Sequence, residues 1–308
     1  MKLLLTGSRG MLGSSILETI NENFEVLAPA RDEMDLLNAK EVLDYLSTFK
    51  PNYIIHAAAR VGGIQANIDN GFEFLSENLQ MDSNLFSAAL KLKIKNLVYI
   101  GSTCMYPKDR EIALKESDLL TGSLEPTNEG YALAKIIGTK TVELASQRKG
   151  LSWRTLILSN LYGPKDHFEP ERSHLIAAVI RKVDVALQKN ESSVVMWGDG
   201  TSRREFTFVR DVAEFITSHL EDLSALPVTM NLGSGVDYSI QEFYEFIAKE
   251  MNYRGKIVCD LSKPNGMKRK LSDSSLATAH GWVSKTGIHA GLSETIAWYN
   301  ESKVRYSS

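Results

Sequence analysis

Apolar and polar positions divide the first 160 residues into short apolar runs separated by longer amphipathic stretches. The apolar runs are KLLLT at 2–6, FEVLA at 24–28, YIIHAAA at 53–59, LVYIGS at 97–102 and TLILS at 155–159. Helical periodicity is found at 10–21, 39–49, 70–92 and 131–149. Apolar strands that alternate with helices are typical of βαβ units, in which helices cover both faces of a parallel sheet. We therefore predict an α/β fold with a doubly wound parallel Rossmann sheet.

The pattern changes after the NLYGP stretch at 160–164. The later elements are a helical stretch at 173–190, a strand SSVVMWG at 192–198, and helices near 210–222, 239–252 and 287–301. We expect part of this region to form a smaller C-terminal α/β lobe that binds the substrate. On this division the Rossmann domain covers 1–165 and about 205–235, and the substrate-binding lobe covers 166–204 and 236–308.

A glycine-rich loop joins the first predicted strand to the first predicted helix in LLLTGSRGMLGSSI. Gly7 would form the tight turn, Gly10 would let the backbone approach a pyrophosphate, and Gly13 would let the helix pack closely on the sheet. The helix N–H groups would then point at the phosphates. The residues expected beside them are Ser8, Arg9, Met11 and Leu12. Closely spaced glycines also occur in flexible loops, but the flanking strand and helix favour dinucleotide binding.

The end of the second predicted strand bears on which dinucleotide is bound. An NAD site usually presents an acidic side chain to the ribose 2′-hydroxyl, whereas an NADP site presents arginine to the 2′-phosphate. VLAPARDEM supplies Arg31, and Arg9 lies in the glycine loop, so two guanidinium groups favour NADP(H). Asp35 and Leu36 are expected to line the same site. The alternative is that Arg31 is a solvated surface residue and that Asp32 binds the ribose.

The fourth predicted strand ends in YIGSTCMYP, which places Ser102 and Cys104 at the carboxyl edge of the sheet. Ligands bind at this edge where the strand order reverses, so we expect the glycine loop to lie beside the end of the fourth strand. Downstream, EGYALAKIIG holds Tyr131 and Lys135 four residues apart, on one face of a helix. A nearby cation lowers the pKa of a phenol. Serine, tyrosine and lysine together favour a catalytic role over a solvated helix face.

Composition narrows the class of protein. The chain has 308 residues and a formal net charge of -3, without the basic field on which nucleic-acid binding relies. No apolar run is long enough to cross a membrane, and Gly7 interrupts the apolar start, so we expect a cytoplasmic protein without a membrane partner. Cys104 and Cys259 are too few for a disulfide framework and lack metal-ligand spacing, so no metal is expected.

Several longer motifs extend from about residue 1 to residue 300. Besides the TGxxGxxG loop and the YxxxK pair, they are AAARVGGIQAN, GSTCMYPK, LEPTNEGYALAK, NLYGPKDHFEPERSHLI, WGDGTSRREF and SKPNGMKRKL. Together they resemble the extended short-chain dehydrogenase/reductase family, which acts largely on nucleotide sugars. They are most similar to members that act on GDP-4-keto-6-deoxy-D-mannose. The resemblance implies an NADPH-dependent enzyme that inverts C3 and C5 and then reduces the C4 ketone.

The resemblance also implies a role for each candidate catalytic residue. Tyr131 would protonate the ketone oxygen during reduction, Lys135 would lower the pKa of the tyrosine, and Ser102 would stabilise the alkoxide. The C4 ketone acidifies the protons on C3 and C5, and by resemblance Cys104 is the base and His174 the acid of epimerisation. Taken singly, a cysteine after a strand is most often a buried hydrophobe, and a histidine near a helix start is often a capping or core residue.

Cofactor and substrate residues are assigned by the same resemblance. The cofactor-binding set adds Ala58, Lys135, Asn160, Leu161 and His174. The substrate-binding set is Lys182, Trp197, Arg204 and Lys270, since cations meet the charge of a nucleoside diphosphate. The family commonly has arginine at position 182 and a substrate-contacting aspartate at position 265, where this chain has Lys182 and Asn265. Members are commonly homodimers joined through helices that correspond to 70–92 and 131–149.

Other functions stay open from the sequence. The same chemistry could act on a related GDP-4-keto-6-deoxy sugar, of the colitose type or a 6-deoxy-heptose, or the enzyme could reduce without epimerising. A 4,6-dehydratase is disfavoured because Thr103 is followed by cysteine and methionine, where that branch has aspartate and glutamate. A non-catalytic dinucleotide sensor is a different class of function. Such proteins tend to lose the serine or the YxxxK pair, and this chain keeps both.

Overall fold

The computed structural model describes residues 1–170, 172–263 and 266–303. The strands are β1 (Lys2–Thr6), β2 (Glu25–Leu27), β3 (Tyr53–His56), β4 (Asn96–Ser102), β5 (Ser152–Leu158), β6 (Asn160–Tyr162), β7 (Ser193–Trp197), β8 (Arg203–Phe208), β9 (Thr229–Leu232), β10 (Asp237–Ser239), β11 (Lys256–Asp260) and β12 (Arg269–Lys270). The helices are α1 (Met11–Thr19), α2 (Ala39–Phe49), α3 (Ile64–Asp69), α4 (Gly71–Lys91), α5 (Glu129–Lys149), α6 (Leu175–Gln188), α7 (Val209–Ser218), α8 (Ile240–Glu250), α9 (Ser275–Thr278) and α10 (Ile288–Ser302).

A six-stranded parallel sheet forms the centre of the larger lobe, in the order β2-β1-β3-β4-β5-β9. The chain passes from β1 outward to β2 and then returns past β1 to β3, so the strand order reverses between β1 and β3. The expectation that the glycine loop lies beside the fourth strand is therefore wrong. The loop after β1 adjoins the end of β3, which separates β1 from β4.

Alternate residues of β1 enter two different cores, because successive side chains of a strand point to opposite faces. Leu3 and Leu5 pack with side chains of α1 and α7, whereas Leu4 packs with side chains of α2, α4 and α5. All three leucines are fully buried. Burial on both faces explains why this strand is a continuous apolar run, and the predicted doubly wound α/β fold is confirmed.

The chain from α7 to β9 returns to the larger lobe. Side chains of α7 pack in the same apolar core as those of α1, and β9 extends the sheet beyond β5. Ala277 of α9 and the nearby Trp282 join this core, and the Trp282 indole donates a hydrogen bond of 2.8 Å to the Gly233 carbonyl.

The smaller lobe contains a four-stranded sheet and a separate two-stranded one. β8 pairs with β6, β10 and β12 in the first, and β7 pairs with β11 in the second. An aromatic core that includes Phe206, Phe208 and Phe243 joins these strands to α6, α8 and α10. The elements that sequence patterning did not predict are α3, α9, β6, β8, β9, β10, β11 and β12, each of six residues or fewer.

Candidate active site

The loop after β1 and the first turn of α1 form a close-packed cradle at the end of the sheet. Gly7 has a φ of 72°, in the left-handed region that favours glycine. A Cβ at Gly7 would lie 2.6 Å from the backbone nitrogen of Ala58, which follows β3. A Cβ at Gly13 would lie 2.2 Å from the carbonyl oxygen of Gly7. Only glycine at both positions lets α1, the loop and β3 approach this closely.

The amino end of α1 is arranged to bind an anion. Gly10 is the N-cap of the helix, and no side chain caps its first turn. Orphan N–H groups and the positive end of the helix dipole bind phosphate. Ser8 and Leu12 are buried and Met11 is half-buried, whereas Arg9 is exposed. The cradle therefore fits a dinucleotide pyrophosphate.

The region after β2 holds the residues expected near the adenosine ribose. Arg31 is exposed and lies 3.5 Å from Asp35 in a weak ion pair. Leu36 is buried beside it. Asp32, the alternative ribose ligand, is also exposed. The preference of Arg9 and Arg31 for a 2′-phosphate stays a prediction.

β4 ends in a turn that presents a hydroxyl and a thiol close together. Ser102 is its last residue, and Thr103–Met105 form a single 3₁₀ turn. The Ser102 hydroxyl accepts a hydrogen bond of 3.4 Å from the N–H of Cys104, which is buried. Burial raises the pKa of the Cys104 thiol, whereas the charge of Lys270, the hydrogen bond with Ser102 and the charge of Lys135 lower it.

α5 carries Tyr131 and Lys135 to the end of β4. Lys135 Nζ lies 4.4 Å from the centre of the Tyr99 ring and 5.9 Å from the centre of the Tyr131 ring. Burial raises the pKa of Tyr131 well above its ordinary value, and the charges of Cys104 and Asp82 raise it further. Burial lowers the pKa of Lys135, and the same two charges oppose that shift. Tyr131 is therefore protonated at neutral pH, the form that can donate a proton.

A buried hydrogen-bonded chain lies beneath this pair, and sequence analysis missed it. Thr6 Oγ1 lies 2.7 Å from His56 Nδ1, and His56 Nε2 lies 3.0 Å from Asp82 Oδ1. The Tyr99 hydroxyl donates a hydrogen bond to the other carboxylate oxygen of Asp82. The available signal was a histidine that ends an apolar strand and an aspartate on the apolar face of a helix, since ionisable residues are rarely fully buried without partners.

His174 is the N-cap residue of α6 and belongs to the smaller lobe. Its side chain is exposed to solvent, yet the surrounding protein lowers its pKa by desolvation, and the charge of His167 lowers it further. This shift favours the neutral imidazole. The two candidate proton carriers thus come from different parts of the chain, Cys104 after β4 and His174 before α6.

Trp197 at the end of β7 is an exposed aromatic platform with cations on it. The indole is 55% exposed, and Lys182 Nζ and Lys263 Nζ lie 5.5 Å and 5.3 Å from its ring centre. Lys182 also donates hydrogen bonds of 3.2 Å to the Val195 carbonyl and the Tyr244 hydroxyl. An exposed indole beside ammonium groups suits a nucleotide base and its phosphates. Sequence analysis missed Lys263.

Arg204 and Lys270 are paired residues of the neighbouring strands β8 and β12. Arg204 donates hydrogen bonds of 2.8 Å and 2.7 Å to the carbonyls of Arg203 and Met267. Burial lowers the pKa of Lys270, which the charge of Cys104 opposes. The charges of Lys270 and Cys104 therefore act on each other. Asn265 lies outside the described residues.

The remaining cofactor candidates lie just after β3 and on β6. Ala58 adjoins Gly7, and its N–H donates a hydrogen bond of 3.3 Å to Thr6 Oγ1. Asn160 and Leu161 lie on β6, where the Asn160 amide donates a hydrogen bond of 3.0 Å to the Glu205 carbonyl. Of these three, Ala58 is in direct contact with the glycine cradle.

Two kinds of feature are absent from residues 1–170, 172–263 and 266–303. In these ranges no helix combines the length and the apolar composition needed to cross a membrane. The same ranges contain no group of three or more histidine, cysteine, aspartate or glutamate side chains that could hold a metal ion.

Comparisons with known proteins agree on one family. The model of the NAD dependent epimerase/dehydratase family matches residues 3–233. GDP-L-colitose synthase of Yersinia pseudotuberculosis is 46% identical over 305 residues, which cover 98% of this chain and 99% of that protein. GDP-L-fucose synthase of Azorhizobium caulinodans is 42% identical over 299 residues, which cover 97% of this chain and 96% of that protein. A GDP-mannoheptose C4 reductase from Campylobacter jejuni, solved with NADP bound, matches with a TM-score of 0.87 and 28% identity over 97% of this chain and 98% of that chain.

Proposed function

Since this chain belongs to the NAD dependent epimerase/dehydratase family, we propose that it is an NADPH-dependent epimerase-reductase that converts GDP-4-keto-6-deoxy-D-mannose to GDP-L-fucose. One observation carries the proposal: the end of β4 and the start of α5 hold an interacting cluster of Ser102, Cys104, Tyr131 and Lys135. Serine, tyrosine and lysine serve ketone reduction, and the thiol adds a proton carrier that reduction alone does not need.

NADP(H) is the proposed cofactor, as in the structural relative that was solved with NADP. Gly7, Gly10 and the amino end of α1 would hold its pyrophosphate. Arg9 and Arg31 would bind the 2′-phosphate. When bound, NADPH supplies the hydride that reduces a ketone. The rest of the chemistry belongs to side chains of this chain.

Reduction at C4 needs a proton for the ketone oxygen. Tyr131 holds one at neutral pH because burial raises its pKa, so it can donate that proton as the oxygen becomes negative. The Lys135 ammonium, 5.9 Å from the ring centre, stabilises the phenolate that remains. The Ser102 hydroxyl donates a second hydrogen bond to the same oxygen.

Epimerisation uses the acidity that the C4 ketone gives to the protons on C3 and C5. Cys104, as a thiolate, removes a proton from one face, and His174, as an imidazolium, returns one to the opposite face. Desolvation lowers the pKa of His174, so its imidazolium is the minor form at neutral pH but the stronger acid. The charge of Lys270 favours the thiolate against the burial that raises the thiol pKa. The enolate carries its charge on the C4 oxygen, so Ser102 and Tyr131 stabilise it as they stabilise the alkoxide.

The nucleoside diphosphate would be bound by the smaller lobe. Trp197 offers an exposed ring to the guanine, with Lys182 and Lys263 beside it for the phosphates. Arg204 and Lys270 add positive charge from the paired strands β8 and β12. The four cations match a ligand that carries clustered negative charge.

A related sugar is the second candidate for the substrate. The 46% identity with GDP-L-colitose synthase favours a colitose-type sugar. A 3-deoxy sugar has no stereocentre at C3, so only C5 would be inverted. The number of inverted carbons therefore separates the two candidates.

The test is a reaction in deuterated water with NADPH and GDP-4-keto-6-deoxy-D-mannose. NADPH oxidation is followed by absorbance, and the deuterium in the product is located by NMR. Label at both C3 and C5 of GDP-L-fucose is the expected result. Label at one carbon favours the colitose-type candidate, oxidation without label indicates a simple reductase, and no oxidation of NADPH rules out this sugar.

Variants of the two proton carriers test their roles. Cys104→Ser and His174→Gln should both abolish epimerisation, and Cys104→Ser, which lies outside the cofactor-binding set, should leave NADPH affinity unchanged. Cys259→Ser, at an exposed position on β11, is the matched control and should retain full activity. Wild-type turnover in both Cys104→Ser and His174→Gln would show that neither residue carries a proton.

We also propose that the protein is a cytoplasmic homodimer joined through α4 and α5. α5 exposes Ile137 and Leu144, which are seven residues apart and so lie on one helix face, and α4 exposes Phe72. Apolar side chains clustered at a surface are typical of an interface. A cytoplasmic location is consistent with a GDP-sugar substrate and NADPH.

A further inference from the structure

Asp82 is a buried carboxylate for which the proposed reaction gives no direct use. It lies on the inner face of α4, and its two oxygens have different partners. Oδ1 lies 3.0 Å from Nε2 of the fully buried His56, and Oδ2 accepts a hydrogen bond from the Tyr99 hydroxyl. Gly138 of α5 lies so close to this pair that a Cβ there would be 2.8 Å from Oδ2. α5 therefore packs directly on the carboxylate.

The hydrogen-bonded chain that ends at Asp82 begins at the glycine cradle. The Ala58 N–H donates to Thr6 Oγ1, so the Thr6 hydroxyl can donate its own proton to His56 Nδ1 at 2.7 Å. His56 Nε2 then carries the proton that is donated to Asp82. This pattern places one proton in each contact of the chain, and the Asp82 carboxylate accepts at its end.

Lys135 is the buried cation that this charge faces. It is 1% exposed, and within the described part of the chain no carboxylate oxygen lies within 4.0 Å of its Nζ. Its Nζ lies 4.4 Å from the centre of the Tyr99 ring, whose hydroxyl is bonded to Asp82. A buried ammonium is costly unless a counter-charge or a polarisable ring compensates it. Tyr99 supplies the ring, and Asp82 supplies the charge.

We propose that Asp82 is a positioning residue for the Lys135–Tyr131 pair: its carboxylate keeps the lysine charged, and it holds the Tyr99 ring against which the ammonium lies. The inference rests on the proposed function only in giving that pair a role in reduction. It names a residue that touches neither cofactor nor substrate. A purely structural Asp82, which only ties α4 to the sheet, would stabilise the fold without affecting the charge of Lys135.

The electrostatics of the pair agree with this role. Burial alone would raise the pKa of Asp82, but the charge of Lys135, the hydrogen bond and the charge of His56, and the hydrogen bond from Tyr99 hold it below its ordinary value. Asp82 is therefore ionised at neutral pH. Burial lowers the pKa of Lys135, and the charge of Asp82 opposes this shift. The titratable groups that face the pair from the surrounding elements are His56, Tyr99, Cys104 and Tyr131.

The directions of these pKa shifts predict how loss of the Asp82 charge changes the pH dependence of reduction. Removing the negative charge of Asp82 should lower the pKa of Lys135, because the ammonium loses its counter-charge. It should also lower the pKa of Tyr131, which that charge raises. Reduction needs both groups protonated, so both changes move the alkaline loss of activity to lower pH. A neighbouring opposite charge shifts a pKa by about one unit or more, which is about a tenfold change in proton affinity.

The experiment titrates Lys135 without substrate or cofactor. The protein is labelled with ¹³C at lysine Cε, the Lys135 signal is assigned by its loss in Lys135→Met, and its shift is followed against pH. Asp82→Asn should lower the titration midpoint by about one pH unit. Glu73→Gln in the first turn of the same helix removes a more distant charge and should leave the midpoint unchanged. Asp82→Glu, which keeps the charge, should restore most of the wild-type midpoint.

Two further measurements make the outcome decisive. If Asp82→Asn does not fold, Asp82→Thr should lower the Lys135 titration midpoint in the same way, since its hydroxyl can still hydrogen-bond His56 and Tyr99. A folded, uncharged variant with the wild-type Lys135 midpoint would overturn the proposal. In the pH profile of keto-sugar reduction, the alkaline loss of activity should move to lower pH in Asp82→Asn by the same amount as the Lys135 midpoint. An enzyme that does not reduce this sugar would refute the proposed function, while the NMR titration would still decide the role of Asp82.

Discussion

Asp166 lies buried in the loop between β6 and α6, and burial raises its pKa to about 7. The folded protein therefore keeps a proton that the unfolded chain releases above about pH 4, so the free energy of unfolding falls as pH rises from about 4 to about 7. The change is about 4 kcal/mol over this window. We expect Asp166→Asn to remove it, so that the variant gains stability relative to wild type between about pH 5 and about pH 8 in urea unfolding. Asp109→Asn, at an exposed position, should follow wild type, and parallel profiles for all three proteins would contradict the prediction.

The choice between NADPH and NADH depends on two exposed guanidinium groups. Arg9 lies in the glycine loop and Arg31 follows β2, and a 2′-phosphate would bind both through charge-assisted hydrogen bonds. We expect Arg9→Ala combined with Arg31→Ala to raise the KM for NADPH by about tenfold or more, with a much smaller change for NADH. Arg148→Ala, an exposed arginine at the end of α5, should change neither. Equal increases for both cofactors would favour Asp32 as the ribose ligand.

At the scale of elements, two glycines of the cradle have different roles: Gly13 is needed for helix packing, and Gly10 is needed for cofactor binding. A Cβ at Gly13 would lie 2.2 Å from the Gly7 carbonyl, so Gly13→Ala must displace α1 from the sheet and should cost about 2 kcal/mol or more of unfolding free energy. A Cβ at Gly10 would lie 3.4 Å from that carbonyl oxygen, an ordinary contact distance, so Gly10→Ala should fold normally. It should bind NADPH weakly, because the methyl group would lie where the pyrophosphate approaches. Thermal unfolding and NADPH titration measure the two effects. A fully stable Gly13→Ala protein, or unchanged NADPH binding by Gly10→Ala, would contradict this division.

Sequence patterning predicted the elements whose own residues form a continuous apolar run or a helical repeat of apolar positions. β1 and α2 have the predicted bounds, 2–6 and 39–49, because β1 is a continuous buried run and Asn38 caps α2 through its side chain. β6 and β12 were missed because strands of two or three residues are defined by their partner β8 rather than by their own composition. The neighbour of the glycine loop was wrong because strand order depends on the crossovers, which no local pattern records.

At the scale of the whole molecule, the cluster of Ser102, Cys104, Tyr131 and Lys135 follows from a strand end and a helical spacing, both of which are local. The chain from Thr6 through His56 to Asp82 does not, because its members are 50 and 26 residues apart and meet only when α4 packs on the sheet. Lys270 likewise reaches Cys104 only through the pairing of β12 with β8. The boundaries between the Rossmann domain and the substrate-binding lobe stay a prediction.

The proposed dimer is tested by charging its interface. Ile137 and Leu144 are 48% and 50% exposed on one face of α5, so burying them against a second copy would stabilise a dimer through apolar contact. Ile137→Glu with Leu144→Glu would bury four carboxylates across a two-fold interface, and we expect it to dissociate the protein to its chain mass of 34.3 kDa in light scattering. Leu187→Glu, at an exposed apolar position on α6, should leave the mass at twice that value. A monomeric wild-type protein would exclude the dimer, and a dimer that persists in the double variant would place the interface on another face. Because α5 also carries Tyr131 and Lys135, dissociation should lower the rate of reduction if the second copy helps hold this helix in place.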